Sequence, residues 1–132
     1  MTPRRASTRP AGRAEAKSRL RLASKYLEAA DLVATEDGEA INVAIGMAVL
    51  SGIAAADAIC ISALGERSSA ADHAAAVGLL AQVNRQLSLR LRTLMDLKAA
   101  AHYGDLLLGK RDLTSAMRAA RTLVDEARAR TV

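Results

Sequence analysis

One apolar stretch decides the fold: Glu39–Leu64, EAINVAIGMAVLSGIAAADAICISAL. It contains no proline, and the seventeen residues from Ala40 to Ala56 carry no charge. A helix of this length almost spans a bilayer. However, the segment is rich in alanine and glycine, which insert weakly, and Asp57 would add about 2.5–3.5 kcal/mol near the bilayer centre. We therefore expect the central helix of a bundle, which is apolar all round because other helices surround it.

Small residues predict that this helix packs closely against its neighbours. Ala48, Gly52 and Ala56 form a small-xxx-small stripe, which lets another helix approach. Across the 132 residues, alanine occupies 30 positions and the only aromatic side chains are those of Tyr26 and Tyr103. This composition favours close-packed helices over sandwiches, barrels and parallel sheets, and the length suits a single domain.

The flanking sequence supplies the remaining helices. Both prolines precede residue 11, so breaks must come from glycine and polar clusters. We expect a capping box at Ser69 and Asp72, a bend at 84–88, and a last helix capped by Thr114 after the turn at 109–112. The predicted fold is all-α, an up-and-down bundle of four to five antiparallel helices over residues 13–132. The predicted helices lie at about 11–34, at 39–64, from 70 to the bend, from the bend to about 105, and from 114 onward.

The positive charge is concentrated at the start of the chain. Residues 1–25 carry eight basic residues and one acid, whereas residues 26–132 carry eleven basic and thirteen acidic residues. We predict a basic, disordered tail over residues 1–12, which could touch phosphates by charge alone. An Arg-rich start is also typical of transit peptides, but the chain from Lys17 onward has the pattern of a domain helix.

Cysteine and histidine usage indicates neither disulfide nor metal. The lone Cys60 lies in an apolar run, where a free thiol behaves as a small buried hydrophobe. A cytoplasmic location is therefore expected. With one cysteine and two histidines, His73 and His102, the spacing fits no familiar zinc site, so we predict no metal and no cofactor.

Asp57 stands in the most apolar part of the chain and needs a partner. An isolated buried carboxylate would neutralise, so it should be paired or hydrogen-bonded. The candidate partners are Arg67, His73, Lys98 and the Tyr103 hydroxyl. Asp57 is then either a buried clamp that fixes helix register or a carboxylate that orients a catalytic or ligand-binding base.

Two constellations have the residue types for phosphate chemistry. Arg67 and His73 flank the predicted start of the third helix, where free N–H groups favour an anion. Lys98 and His102 share a helix face and could bind phosphate and move a proton, while Tyr103 lies about 140° from Lys98. The alternatives are a solvated arginine with a capping histidine, and an ordinary exposed helix face.

The sequence resembles small bacterial HEPN-domain proteins, in particular an actinobacterial type, over residues 15–130. The resemblance rests on GIAAADAIC (52–60), LGERS (64–68), Asp72-His73, Leu79-Leu80 and Lys98-x4-Tyr103 with Asp105. It implies a bundle of four or five helices that forms a homodimer. Many HEPN proteins are metal-independent ribonucleases, acting as toxins or phage-defence effectors through an Arg-x4-6-His motif shared across the dimer. It further implies a cognate antitoxin or a nucleotidyltransferase-like partner.

The match to the nuclease motif is incomplete. Arg67-x5-His73 has the right spacing but falls at a turn, whereas the region of the usual motif holds Lys98-x3-His102-Tyr103, and lysine lacks the guanidinium fork. We predict a degenerate HEPN-type module that binds a nucleotide, RNA or a protein partner as a dimer and stays off the membrane. A ribonuclease toxin and a purely structural bundle are the alternatives, so enzyme activity stays open. In a nuclease, His102 or His73 would be the acid/base and Lys98 or Arg67 would stabilise charge.

Overall fold

The chain is an all-α bundle, as predicted. The structure, a computed structural model, describes residues 8–69, 73–103 and 107–132. Its helices are α1 (Arg13–Val33), α2 (Glu39–Leu64), α3 (His73–Val83), α4 (Arg85–Tyr103) and α5 (Lys110–Arg130). Two short strands, β1 (Thr8–Pro10) and β2 (Glu66–Ser68), form one antiparallel pair.

Helix α2 is the centre of the bundle. All four other helices and β2 pack on it, with α1 and α5 forming the largest interfaces. Among the described residues, α2 is the one helix long and apolar enough to cross a membrane, and 83% of its apolar window is buried inside the fold. This burial is the property expected of a core helix, and it explains why α2 is apolar on every side.

The small residues of α2 admit its neighbours at close range. A Cβ atom on Gly52 would overlap Cδ1 of Leu94 on α4 and would lie 3.4 Å from Cδ1 of Leu123 on α5. On the α1 side, the buried Ser51 hydroxyl donates to the main-chain carbonyl of Ala23 at 2.7 Å. The predicted small-residue stripe therefore marks real helix contacts.

The break between α3 and α4 falls at Asn84, inside the predicted bend. The Asn84 side-chain oxygen accepts a hydrogen bond from the Leu87 N–H at 3.0 Å, which starts α4. Helix α2 ends as expected at Gly65, which adopts a left-handed conformation with φ of 72°. The capping box predicted at Ser69 and Asp72 includes residues outside the described ranges.

The predicted Thr114 cap is wrong. Helix α5 begins four residues earlier, at Lys110 after Gly109, and the Asp112 carboxylate accepts the Gly109 N–H at 3.1 Å. The Thr114 hydroxyl instead donates to the Lys110 carbonyl one turn back. An acid three residues into the helix satisfies the same terminus, so threonine is not needed there.

Part of the predicted tail is ordered as a strand. Thr8 pairs with Ser68, Arg9 with Arg67, and the Ala11 N–H donates to the Gly65 carbonyl at 3.0 Å. Because Gly65 turns the chain out of α2, β2 presents an unpaired edge, and β1 satisfies it. Residues 1–7 lie outside the described ranges. The strand pair thus holds the start of α1 beside the end of α2.

Candidate functional site

Asp57 of α2 is buried and held by two guanidinium groups. It is 5% exposed. Arg67 of β2 brings Nη2 to 3.1 Å from Oδ2, and Arg19 of α1 brings Nη2 to 2.9 Å from the same oxygen. Burial raises the pKa of the Asp57 carboxyl, and it outweighs the opposing effect of the two arginines. The structure therefore selects Arg67 from the four candidate partners.

Arg19 was not predicted as a partner of Asp57. The sequence nevertheless carries a signal for this role, which is the position of Arg19 in α1. Arg19 follows the buried Ala16 by three residues and precedes the buried Ala23 by four. It therefore lies on the apolar face of α1, where a charged residue needs a buried partner.

A chain of alternating charges continues outward from this pair. Arg67 Nη1 lies 2.9 Å from Glu15 Oε2, and Arg9 Nη2 lies 2.6 Å from the same oxygen. Hydrogen bonds from Arg9 and Arg67 lower the pKa of Glu15. We call Arg9, Glu15, Arg67, Asp57 and Arg19 the ionic chain. The ionic chain connects β1, α1, β2 and α2 and so holds these elements together. It also places three arginine side chains near Asp57.

A small cavity lies between α2, β2, α3 and α4, with a volume of about 180 Å³. This volume is below the roughly 300–1,000 Å³ of most small-molecule sites, so it suits a group of a few heavy atoms. Its apolar wall comes from α2, α3 and α4. Its polar wall is formed by Asp57, Arg67, Ser68 and His73.

The histidine of this wall meets a lysine from α4. His73 Nε2 lies 2.6 Å from Lys98 Nζ. With Lys98 as an ammonium group, Nζ is the donor and His73 Nε2 is the acceptor, because an ammonium group has no acceptor. The predicted Arg67–His73 constellation is therefore completed by Lys98, a residue assigned to the other constellation.

The second predicted constellation, Lys98 with His102 and Tyr103, does not form one site. His102 lies one turn beyond Lys98, and its Nε2 would be 3.2 Å from a Cβ atom on Gly46 of α2. Tyr103 is 81% exposed, and its ring packs edge-on against His102 with centroids 6.0 Å apart. In the part of the chain described, no bond joins the Tyr103 hydroxyl to Asp57. The structure thus groups Asp57, Arg67, His73 and Lys98, and leaves His102 and Tyr103 at the end of α4. The Asp72 and Asp105 positions of the resemblance are outside the described ranges.

The thiol of Cys60 is not part of this chemistry. It is buried, and burial raises its pKa to about 12. A thiol with this pKa is almost entirely protonated at neutral pH and is a poor nucleophile. Over the described residues, no group of histidine, cysteine and carboxylate side chains has an arrangement that could hold a metal ion.

The charge of the site favours an anion. Four cations, Arg9, Arg19, Arg67 and Lys98, stand against two carboxylates along the ionic chain and the cavity. Arg67 donates from Nη1 to Glu15 and from Nε to the Ser68 carbonyl at 3.2 Å, and its Nη2 is ion-paired with Asp57.

Sequence comparisons give no match to a family model and none to a curated protein.

Proposed function

We propose that this protein is a HEPN-like binding module whose cavity takes the phosphate group of a nucleotide or of an RNA strand. One observation carries the proposal: Arg67 and His73, in the spacing of the HEPN motif, line the same cavity, and Lys98 reaches His73 at 2.6 Å. The five-helix bundle agrees with the fold that the resemblance implies.

The polar wall, together with Lys98 beside His73, has the groups that a phosphate needs. Lys98 supplies a compact positive charge, and Arg67 supplies N–H donors from a guanidinium that Asp57 and Glu15 hold in place. A phosphate between Lys98 and His73 would separate the ammonium from the imidazole. The ring could then accept a proton and donate to the phosphate, which adds a charge-assisted hydrogen bond. The cavity volume accommodates the phosphate, while the nucleoside would remain outside.

Metal-independent RNA cleavage is the second candidate. The observation in its favour is the contact of His73 Nε2 with Lys98 Nζ at 2.6 Å. As general base, His73 would take the proton of a ribose 2′-OH, whose oxygen then attacks the adjacent phosphorus, forming a 2′,3′-cyclic phosphate while the P–O5′ bond breaks and the 5′-oxygen takes a proton from solvent water. Lys98 would stabilise the charge that develops on the phosphate. Arg67 is committed to two carboxylates, which favours binding over cleavage and agrees with a degenerate nuclease motif.

A cytoplasmic homodimer belongs to the same proposal. Val43 and Leu50 are 49% and 37% exposed, and they stand seven residues apart on one face of the largely buried α2. These exposed side chains are suited to a helix face of a second copy or to a protein partner such as an antitoxin or a nucleotidyltransferase-like protein.

Calorimetric titration with inorganic phosphate and with a 5′-nucleoside monophosphate tests the proposal. We expect Lys98→Met and His73→Gln to weaken binding about tenfold or more, since each removes a charge-assisted hydrogen bond worth about 1.5–3 kcal/mol. Lys17→Met and His102→Gln are the matched controls, because Lys17 is an exposed lysine of α1 and His102 lies outside the cavity. Equal affinity for all five proteins would contradict the proposal.

The same proteins separate binding from cleavage. If the module only binds, none of them cuts a labelled RNA in the presence of EDTA. If it is a nuclease, the wild type and His102→Gln cut, and His73→Gln does not. A nuclease that is inactivated by His102→Gln alone would place the chemistry at the end of α4 and refute the assignment to this cavity.

A further inference from the structure

A polar groove, separate from the cavity, runs between α4 and α5. It lies on a different face of α4 from the cavity. Leu91 and Met95 of α4 line the cavity, whereas Arg90 and Thr93 line the groove. The volume of the groove is about 500 Å³. On α5 its walls are formed by residues of the first three turns, chiefly Arg111, Ser115 and Arg118. We call this feature the arginine groove.

The arginine groove holds positive charge that the fold does not neutralise. Among the described residues, Arg90, Arg111 and Arg118 have no ion-pair partner, and no carboxylate lines the groove. At its rim, Lys110 pairs with Asp37 at 3.2 Å. The three guanidinium groups stand in a part of the chain, residues 26–132, that has more acids than bases.

The other arginines of α5 show that pairing is available on this helix. Arg121 lies 2.9 Å from Asp31, Arg128 lies 3.4 Å from Asp125, and Arg130 lies 2.7 Å from Glu126. Unpaired arginines therefore occur on α5 where it faces α4 across the groove. Cationic side chains that line one groove, with no carboxylate among the described lining residues, favour an external anion.

We propose that the arginine groove binds the sugar–phosphate backbone of a nucleic acid strand. Guanidinium groups match phosphate oxygens in geometry and charge. Arg111 and Arg118 are two helical turns apart, about 10 Å along α5, which is enough to span consecutive phosphates. An open groove of this length fits a chain of phosphates better than a single ion.

The lining also defines how the strand would be recognised. Ser115 supplies a hydroxyl, whereas the Thr93 and Thr114 hydroxyls donate to carbonyls of their own helices. No aromatic side chain lines the groove, so base stacking makes no contribution and binding is independent of sequence. Among the residues that the structure describes, no exposed large apolar side chain lines it either, which disfavours insertion into a lipid surface.

Fluorescence anisotropy with a labelled 15-nucleotide single-stranded RNA, and with DNA of the same sequence, tests this inference between 50 and 200 mM NaCl. The test variant is Arg90→Gln/Arg111→Gln/Arg118→Gln. The matched control, Arg4→Gln/Arg5→Gln/Arg21→Gln, removes the same charge from the N-terminal part of the chain. Thermal melts establish that both variants remain folded.

We expect the groove variant to bind at least tenfold more weakly at 50 mM NaCl, with the control retaining most of the affinity. The slope of log K against log salt should become shallower by about two, since each phosphate contact to a single strand contributes roughly 0.7. Loss with RNA alone would identify RNA as the strand, and equal loss with both probes would identify a backbone site common to RNA and DNA.

Several results would overturn the inference. The wild type could fail to bind either probe at 50 mM NaCl, or the control could lose as much affinity as the groove variant. Binding to phosphatidylglycerol vesicles, or to a polyglutamate peptide, without binding to either nucleic acid would assign the groove to another partner. Loss of RNA affinity in Lys98→Met, together with unchanged affinity in the groove variant, would place the strand in the cavity. The inference does not depend on the cavity, so phosphate binding there can fail while the groove retains its function.

Discussion

Replacing Gly52 by alanine tests the packing at the centre of the bundle. An added Cβ atom would overlap Cδ1 of Leu94, and Leu123 lies on its other side at 3.4 Å. Both leucines are completely buried, so neither has free space into which to turn. The Gly52→Ala variant therefore requires a shift of α4 or α5, or a strained leucine rotamer.

The expected magnitude is the difference between two effects. Alanine in place of glycine inside a helix stabilises it by about 1 kcal/mol, whereas overpacking a core costs about 1–3 kcal/mol. Because the overlap with Leu94 is severe and the site is closed, we take the upper half of that range. The free energy of unfolding should fall by about 1–2 kcal/mol.

Gly78→Ala is the matched control. Gly78 lies inside α3, and no atom stands within 4 Å of the position of its Cβ. This variant should therefore show the helix effect alone and be more stable than the wild type by up to about 1 kcal/mol. In a Leu94→Ala background, which opens space beside Gly52, the Gly52→Ala change should become neutral or stabilising.

Urea unfolding followed by circular dichroism measures these changes, at one protein concentration so that self-association does not alter the comparison. If Gly52→Ala stabilises the protein as much as Gly78→Ala does, α4 does not approach α2 as described, and the account of the core is wrong.

Three further predictions concern the buried polar groups. Asp57→Ala should lower the free energy of unfolding by about 1–3 kcal/mol. This is less than the roughly 3–5 kcal/mol for breaking a fully buried pair, because the Arg19 and Arg67 side chains remain about one-fifth exposed. Urea unfolding measures the change, with Asp57→Asn as the milder comparison, and an unchanged free energy of unfolding would contradict the clamp. Cys60, with its pKa raised to about 12, should react with a thiol reagent at pH 8 only after denaturant is added, and fast reaction of the native protein would show that the thiol is accessible. Glu15 has a lowered pKa, so its stabilising effect is complete above its unfolded value near 4.5 and is lost as the pH falls through the lower folded value. The stability difference between wild type and Glu15→Gln should therefore shrink in acid, and a difference that grows there would refute the ionic chain.

Much of the fold could be predicted because the relevant signals are local. Charge-free length and small residues marked α2, and the first helix, predicted to end near residue 34, ends at Val33. The strand pair could not be predicted, because three residues in each strand carry no periodicity and the edge exists only after Gly65 has turned the chain. Local rules also misplaced the start of α5, because threonine is a favoured capping residue and the helix begins instead after Gly109, where Asp112 accepts the Gly109 N–H.

The candidate site was predicted in its residue types but not in its grouping. Periodicity placed Lys98 on one face of α4 with His102, yet it carries no information on which helix that face meets. The packing of α3 against α4 brings His73 to Lys98, while α2 brings Gly46 to His102. Helix packing, which is a long-range property, therefore decided the membership of the site.

Imidazole resonances in nuclear magnetic resonance spectra provide the most direct test of the cavity. The chain has two histidines, His73 in the cavity wall and His102 outside it, so His102→Gln assigns both signals. On titration with inorganic phosphate or a 5′-nucleoside monophosphate, we predict saturable shifts of the His73 signals and no shifts of comparable size for His102. The Lys98→Met variant should abolish the response of His73. Unmoved His73 signals at saturating ligand, or a response confined to His102, would contradict a phosphate site formed by Arg67, His73 and Lys98.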